Sequence, residues 1–320
     1  MKPLLTIAIP TYNRSTFLEE NLRRLKKQYN QKVDILICDN ASIDQTEMIV
    51  QKYINSGLPI RYYRNEENLG WERNFELCFR RAKGIYTMLL GDDDFIMDGG
   101  LSLILSSIED NKTDLLFCRA FGFDTLPSNN KVEFRSIAKA YSIDVFLKKT
   151  VLQFRLLSSY VLKSEYINSN VNFKGNFAHL HVVFNILLNG DVFSILDEKI
   201  IACKKDNSDF DQKTNFSDVY MKEFFELYRE FLGDKVSQED NQKVEKIMLL
   251  EYYPKYIFKM RIKRIKKDPN LRKNFDLIFK EHESYKFFRM IFLNENIITT
   301  SILFFIILYH QIIYSAKSKI

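Results

Sequence analysis

The sequence predicts an α/β protein: a mostly parallel sheet flanked by helices, with a helical, basic C-terminal extension. Three observations carry that expectation. Short β-branched runs alternate with helix-period segments over roughly the first 120 residues, the pattern of a parallel sheet covered on both faces. Polar and acidic residues recur at the carboxyl ends of the apolar runs. From residue 217 onward the alternation gives way to aromatic and basic segments with helical spacing.

The elements follow in order. LLTIAIP (4–10) is a strand that Pro10 is expected to end. Residues 17–28 place apolar side chains at 18, 22 and 25, a helical stripe. VDILICD (33–39) is a second buried strand, and Ser42 with Gln45 has the spacing of a capping box for a helix through Ile49, Val50 and Tyr53. A third strand covers 60–64, a helix 74–82, a fourth strand 86–90, a helix 99–109 and a fifth strand 115–119. Beyond an irregular stretch that includes apolar segments at 143–162, a helix is expected at about 178–188. Residues 192–210 then read as strand, turn, strand and a polar loop.

Composition narrows the class. With 46% hydrophobic and 28% charged residues in 320, and no low-complexity tract, the chain can bury a large core. Cys38, Cys78, Cys118 and Cys203 are far apart and form no CxxC pair, which suits a reduced compartment. The apolar run before Pro10 is too short for an export signal. Net charge is +6, unevenly placed: residues 255–320 hold 14 Lys/Arg against 5 Asp/Glu, leaving 33 against 36 for residues 1–254. The basicity belongs to the C-terminal end, which points to an anionic surface there.

Open α/β sheets bind ligands outside the carboxyl ends of their strands. Here those ends read Pro10-Thr11-Tyr12-Asn13, Cys38-Asp39-Asn40 and Gly91-Asp92-Asp93-Asp94. Three successive carboxylates at the mouth of a buried strand repel one another. A hard divalent cation, Mg²⁺ or Mn²⁺, held by one or two of them and by substrate phosphates resolves that repulsion. Asp39 can accept from a nucleobase N–H or a ribose hydroxyl, and Tyr12 can offer a ring face to a base. Singly, each also fits an ordinary Asx turn or surface tyrosine.

IAIPTYNR (7–14), DNASIDQT (39–46), NEENLGWERN (65–74) and LLGDDD (89–94), in this order, resemble a family 2 glycosyltransferase of the GT-A (Rossmann-like) fold. The GDDD form is similar to abequosyltransferase-like enzymes of the O-antigen and capsule type. The resemblance spans about residues 3–120. It implies inverting transfer of a sugar from a nucleotide-diphosphate donor to a hydroxyl acceptor, with Mg²⁺ or Mn²⁺ as cofactor. It further implies that Pro10, Thr11 and Tyr12 line the nucleoside pocket, with Arg14, Asp39 and Asn40 beside it. Asp92 to Asp94 would bind ribose and metal, with Asp93 as chief ligand and Asp94 beside it. Many relatives read DSDD, which places Gly91 where their first Asp lies. Arg73 is a candidate for the donor phosphates or an exposed helix-start arginine. Lys205, in KKDNS (204–208), is a candidate for the diphosphate or part of a solvated loop.

Inverting transfer needs a general base. Relatives place a Glu-Asp pair at the start of a helix in the second half. Here that region is GNFAHLHVVFNILLNGDVFSIL (175–196), which lacks the pair and has His179 and His181 instead. His179 is the candidate base, with capping or packing as its other reading. The expected organisation is a catalytic domain at 1–215, its halves (1–120 and 121–215) serving nucleotide sugar and acceptor, and a membrane-associating region at 216–320.

KYIFKMRIKRIKK (255–267) interleaves basic and apolar residues, and residues 297–314 carry no charged side chain. The latter segment reads as a short span, half of a re-entrant hairpin, an interfacial helix, or a helix packed on the catalytic domain. Its basic neighbours favour peripheral or monotopic attachment to an anionic membrane, at the cytoplasmic face of the bacterial inner membrane. A lipid-linked or polysaccharide acceptor would meet the enzyme there. Two other classes are weighed: a non-catalytic nucleotide-sugar-binding module, favoured by the missing Glu-Asp pair, and an Mg-dependent phosphoryl-transfer protein, which lacks support from any P-loop. Nucleic acid is not an expected partner, since no recognised motif accompanies the basic tail.

Overall fold

The computed structural model describes residues 2–110, 112–127, 138–167, 173, 175–204, 215–262 and 268–317. The chain divides into two compact units, Met1–Phe146 with Gln153–Asp206, and Leu147–Leu152 with Asn207–Ile320.

Among the described residues of the first unit, one sheet contains β1 (Leu5–Thr11), β2 (Val33–Asp39), β3 (Ile60–Arg64), β4 (Tyr86–Leu89), β5 (Phe95–Ile96), β6 (Leu115–Phe123), β7 (Lys139–Tyr141), β8 (Tyr160–Lys163) and β9 (Phe193–Lys204). Its order is β3-β2-β1-β4-β8-β6-β9-β5, with β7 paired to β9. The half β3-β2-β1-β4 is all parallel. Beyond it β8 runs antiparallel to both β4 and β6, and β5 and β7 run antiparallel to β9. β6 and β9 form a further, long parallel pair, so the sheet is mostly parallel as expected, with β8, β5 and β7 as its antiparallel members. The all-parallel half is the one the alternating sequence encodes.

Helices α1 (Ser15–Lys27), α2 (Thr46–Asn55), α3 (Trp71–Arg81) and α4 (Gly100–Asp110) connect the first strands, followed by α5 (Ile143–Thr150) and α6 (Ala178–Asn189). The α1 stripe Leu18, Leu22 and Leu25 is buried as its spacing predicts, together with Asn21 and Arg24 on the same face. It packs in one core with Ile7, Ile9, Ile35, Ile37, Met88 and Ile104.

Three local expectations are corrected. Pro10 lies inside β1 and does not end it. The Ala8 carbonyl accepts from Leu90 and the Thr11 carbonyl from Asn40, so alternate residues face opposite neighbours and Pro10 faces the β4 side. Pairing with β4 stops at Ala8 and Leu89, leaving no ladder bond for the missing N–H to break. The capping box does not form: Ser42 Oγ accepts from Asn13 N, while Asp44 Oδ1 accepts from Thr46 N at the start of α2. Residues 193–204 form one strand and not a hairpin. Asp197 and Glu198 are a bulge against Cys118 and Arg119, and the exposed Asp197-Glu198-Lys199 run only looks like a turn.

The second unit is helical: Asp218–Glu223 leading into α7 (Phe224–Leu232), then α8 (Gln238–Ile247), Met248–Tyr252, α9 (Tyr253–Ile262), α10 (Leu271–Phe279), α11 (Tyr285–Leu293) and α12 (Ile297–Lys317). Its core is aromatic, built on Phe216, Phe225, Tyr228, Tyr253, Phe275 and Phe279. Among the described residues no single helix is long and apolar enough to cross a membrane. The pair α11 and α12 passes that test together, with a 118° bend between them.

Candidate active site

The carboxyl ends of β1 and β4 meet at the acidic turn. Asp94 N donates to the Gly91 carbonyl at 3.1 Å, which makes the turn tight. Asn21, reaching from α1, donates to the carbonyls of both Gly91 (3.1 Å) and Asp94 (2.9 Å). Ser158 Oγ accepts from Gly91 N at 2.8 Å and donates to Asp94 Oδ2 at 2.6 Å. These two side chains clamp the turn from outside. An asparagine on the apolar face of α1 was a visible signal for the first; Ser158 carries none, being 64 residues from Asp94.

The repulsion among the carboxylates is met by a side chain. Arg14 bridges two of them, Nη1 to Asp92 Oδ1 at 3.2 Å and Nη2 to Asp93 Oδ2 at 2.7 Å. Burial opposes the Arg14 charge, but Asp92, Asp93 and Asp94 outweigh it and raise its pKa above the ordinary value. Thr11 Oγ1 donates to Asp92 Oδ2 at 2.9 Å. Burial pushes Asp92 up to about 7 against the pull of Arg14. Burial and then Asp93 push Asp94 up to about 6, while Ser158, the Cys203 thiol and the Lys204 backbone stabilise its charged form. A second cation is close: Arg14 and Lys204 lie 5.1 and 5.2 Å from the centre of the Phe17 ring.

Among the described residues no group of three His, Cys, Asp or Glu side chains forms a metal-binding cluster. Asp93 Oδ1 and Asp94 Oδ2 do converge on Gly91, where an added Cβ would come within 3.4 and 3.1 Å of them. Glycine at 91 thus leaves room between two carboxylates, and Arg14 engages only the other Asp93 oxygen. That donor set fits a hard cation completed by substrate oxygens rather than an all-protein cage.

Beside the turn, the end of β2 is sealed. Asp39 is fully buried. Its Oδ1 accepts from Ser42 N at 2.9 Å and its Oδ2 from the Tyr62 hydroxyl at 2.6 Å, with Arg64 Nε at 3.8 Å. Burial and then Asp39 raise the Tyr62 pKa. The Asn40 amide donates to Asn68 Oδ1 and the Gly70 carbonyl and accepts from Asn65 Nδ2 and Leu69 N. These four bonds fill its capacity; Asn40 staples the loop after β3 and has no valence for a ligand, contrary to expectation. The facing loops are bonded through Asn13, whose Oδ1 accepts from Ile43 N. Asn13 and Ala41 both have positive φ, 53° and 65°, a conformation that costs a residue with a Cβ.

The structure brings Thr11, Arg14, Asp92, Asp93 and Asp94 together. Pro10 is buried beneath them in β1, and Tyr12 is 42% exposed at the rim. Arg73 pairs with Glu76 on its own helix, the arrangement of an exposed helix-start arginine, the second of its two readings. Lys205 lies outside the described residues. His179 is buried in α6, its Nε2 3.3 Å from the Phe154 carbonyl and its ring packed near Tyr160. Burial lowers its pKa to about 4. A ring this enclosed, with its nitrogen engaged by a carbonyl, has the geometry of packing and not of a base open to an acceptor hydroxyl.

Comparison with known proteins bears on the family and the fold. Residues 6–164 match glycosyl transferase family 2. Abequosyltransferase RfbV of Salmonella typhimurium is 29% identical over 231 residues, 66% of this chain and 69% of that protein. The GalNAc(5)-diNAcBac-PP-undecaprenol beta-1,3-glucosyltransferase of Campylobacter jejuni is 19% identical over 75% of this chain and 67% of its own length. Among solved structures, S. aureus TarS 1-349 in complex with UDP-GlcNAc superposes with a TM-score of 0.60 at 19% identity, over 89% of this chain and 87% of that one. The Pyrobaculum calidifontis mannosyltransferase PcManGT in complex with GDP-Man and Mn²⁺ gives 0.55 at 13% identity, over 94% and 87%. With the architecture of these GT-A neighbours, the chain carries a glycosyl transferase family 2 domain over residues 6–164.

Proposed function

We propose that this enzyme transfers a sugar, with inversion, from a nucleotide-diphosphate donor to a lipid-linked saccharide acceptor in bacterial surface-polysaccharide synthesis, and that it uses Mg²⁺ or Mn²⁺. One observation carries the reading. Arg14, Thr11 and three carboxylates are built into a single turn at the ends of β1 and β4, beside an exposed tyrosine. The lipid-linked acceptor is supported by the undecaprenol-linked substrate in the printed name of the Campylobacter relative, and the metal by the Mn²⁺ bound to PcManGT.

In this mechanism the nucleobase lies on Tyr12. Entry to the Asp39 end of β2 requires Arg64 to move, because its side chain, 40% exposed, is the exposed member of an otherwise sealed set. Asp93, with Asp94, would hold the cation, which supplies positive charge against the donor diphosphate. Arg14 and Lys204 are cations of the described residues at that position. Their charge stabilises the diphosphate as it leaves, when its negative charge grows. Asn40 positions the loop between β3 and α3, and Arg73 pairs with Glu76 on the surface of α3. His179 belongs to the core, not to proton transfer.

The test is titration of UDP, GDP and related diphosphates with and without Mn²⁺, read by thermal shift, followed by a panel of activated sugars scored for transfer or hydrolysis. Mn²⁺ should strengthen nucleotide binding in the wild type and leave Asp93→Asn unaffected. Equal metal enhancement in both proteins rules out the assignment of the turn.

A further inference from the structure

On α12, Ile297, Ile298, Phe304, Phe305, Leu308 and Tyr309 are all exposed, Ile298 and Phe305 by 68% and 63%. At about 100° per residue these positions fall on one stripe roughly 140° wide, three turns long. The opposite face is fixed: Thr299 and Leu303 are buried. Arg261 of α9 reaches across to the Thr299 and Thr300 hydroxyls and to the carbonyls of Ile291 and Phe292, the last two at 2.7 and 3.1 Å. The same guanidinium thus ties α9 to both sides of the 118° bend between α11 and α12.

The apolar stripe has a basic border. Phe304 lies 5.9 Å, ring to ring, from Phe258 on α9. On α9, Lys255, Lys259 and Ile262 are exposed at spacings of four and three, one row along the helix beside Phe258. Residues 255–320 hold nine more basic than acidic side chains.

We propose that α12 lies flat in the headgroup–acyl boundary of an anionic bilayer, with Ile298, Phe305, Leu308 and Tyr309 inserted and Lys255 and Lys259 against lipid phosphates. This deepens the functional reading by naming the surface that delivers a lipid-linked acceptor, and it rests on that reading for its purpose. A helix with an apolar face and a basic flank binds such an interface by buried area plus attraction to anionic lipid. Spanning would strip Thr299 and Leu303 from α9 and leave Arg261 in hydrocarbon, which is costly.

The experiment is co-sedimentation of the full chain with phosphatidylcholine vesicles, with and without phosphatidylglycerol. Binding should require phosphatidylglycerol and weaken as salt is raised. Ile298→Glu/Phe305→Glu and Lys255→Glu/Lys259→Glu should each reduce partitioning roughly tenfold or more. The changed side chains are exposed, and an unchanged circular dichroism spectrum confirms folding. Wild-type partitioning by both variants overturns the proposal. So does resistance to alkaline carbonate extraction, which indicates spanning, or a vesicle-free dimer that Ile298→Glu/Phe305→Glu dissolves. The nucleotide thermal shift is measured in parallel on every protein. Its absence from the wild type while vesicle binding persists defeats the donor reading alone; loss of vesicle binding with the thermal shift intact defeats the membrane proposal alone.

Discussion

Arg14 answers the electrostatic question that the three aspartates pose. Its guanidinium, 37% exposed, supplies two of the bonds that make Asp92 and Asp93 tolerable in the folded chain. The raised carboxylate pKa values set the sign of a pH effect. Asp92 titrates at about 7 when folded and near 3.8 when unfolded, so between those values the folded chain binds more protons. Stability contributed by the turn therefore falls as pH rises from about 4 to 7. Arg14→Gln removes the compensating charge, and its effect should appear only where the carboxylates are ionised. We expect a loss of about 1–2 kcal/mol at pH 8, discounted for the exposure of the arginine, and a smaller one at pH 5, where Asp92 is protonated. Thermal melts across that range check it, and Mn²⁺ with nucleotide should restore part of the loss. Asp93→Asn should lower turnover by roughly a hundredfold or more, on the scale of losing one electrostatic contact to developing charge; Lys204→Met tests the second cation by the same assay.

At the scale of elements, legibility divides by the range of the interaction. The β1–α1–β2–α2–β3–α3–β4 run could be read because each strand and helix declares itself through its own periodicity. β5 could not, since two residues, Phe95 and Ile96, become a strand only through pairing with Ile201 and Ala202. β9 was divided wrongly because a bulge exposes the same residue types as a turn. In the site, the acidic turn and Thr11 were legible as a cluster at strand ends, and packing was one of two readings open for His179. That Arg14 bridges the turn and that Asn40 staples a loop was not legible, for both depend on which distant partners fill their valences. Asn40→Ala removes four hydrogen bonds of the β3–α3 connection, while Asn65, Asn68 and the Gly70 carbonyl each keep a second partner, and should destabilise by about 1–2 kcal/mol; a residue that only contacts ligand would instead raise KM with stability unchanged. His179 gives the opposite pH signature to the acidic turn. Its folded pKa of about 4 lies below the ordinary 6.5, so the unfolded chain takes up the proton first as pH falls. Stability is then lost between about 6.5 and 4, by an amount on the order of 2–3 kcal/mol. His179→Gln, which keeps a donor for the Phe154 carbonyl, should flatten that acid limb in denaturant titrations. Its turnover at neutral pH should stay within a few-fold of wild type, whereas removal of a general base costs 10²–10⁴-fold, order of magnitude.

For the whole molecule, the division of charge follows the division of labour. Residues 1–254 are close to neutral and contain the proposed donor site, while the basic excess belongs to residues 255–320, the part of the sequence that includes the exposed apolar stripe. A soluble donor has no need of that stripe, but an acceptor dissolved in a bilayer reaches the enzyme only at the concentration the membrane imposes. Binding to the bilayer converts a search in three dimensions into one at a surface and raises the effective acceptor concentration without any new contact to the sugar. The two substrates should therefore respond differently to Ile298→Glu/Phe305→Glu. With an acceptor embedded in anionic vesicles, the apparent acceptor KM should rise roughly tenfold or more while kcat and the donor KM stay near wild type. With a detergent-free, water-soluble acceptor analogue, no parameter should change. Steady-state kinetics with both acceptors decide the matter: a change with the soluble analogue assigns these side chains to folding or chemistry, and no change with the vesicle-bound acceptor means that membrane contact does not govern delivery.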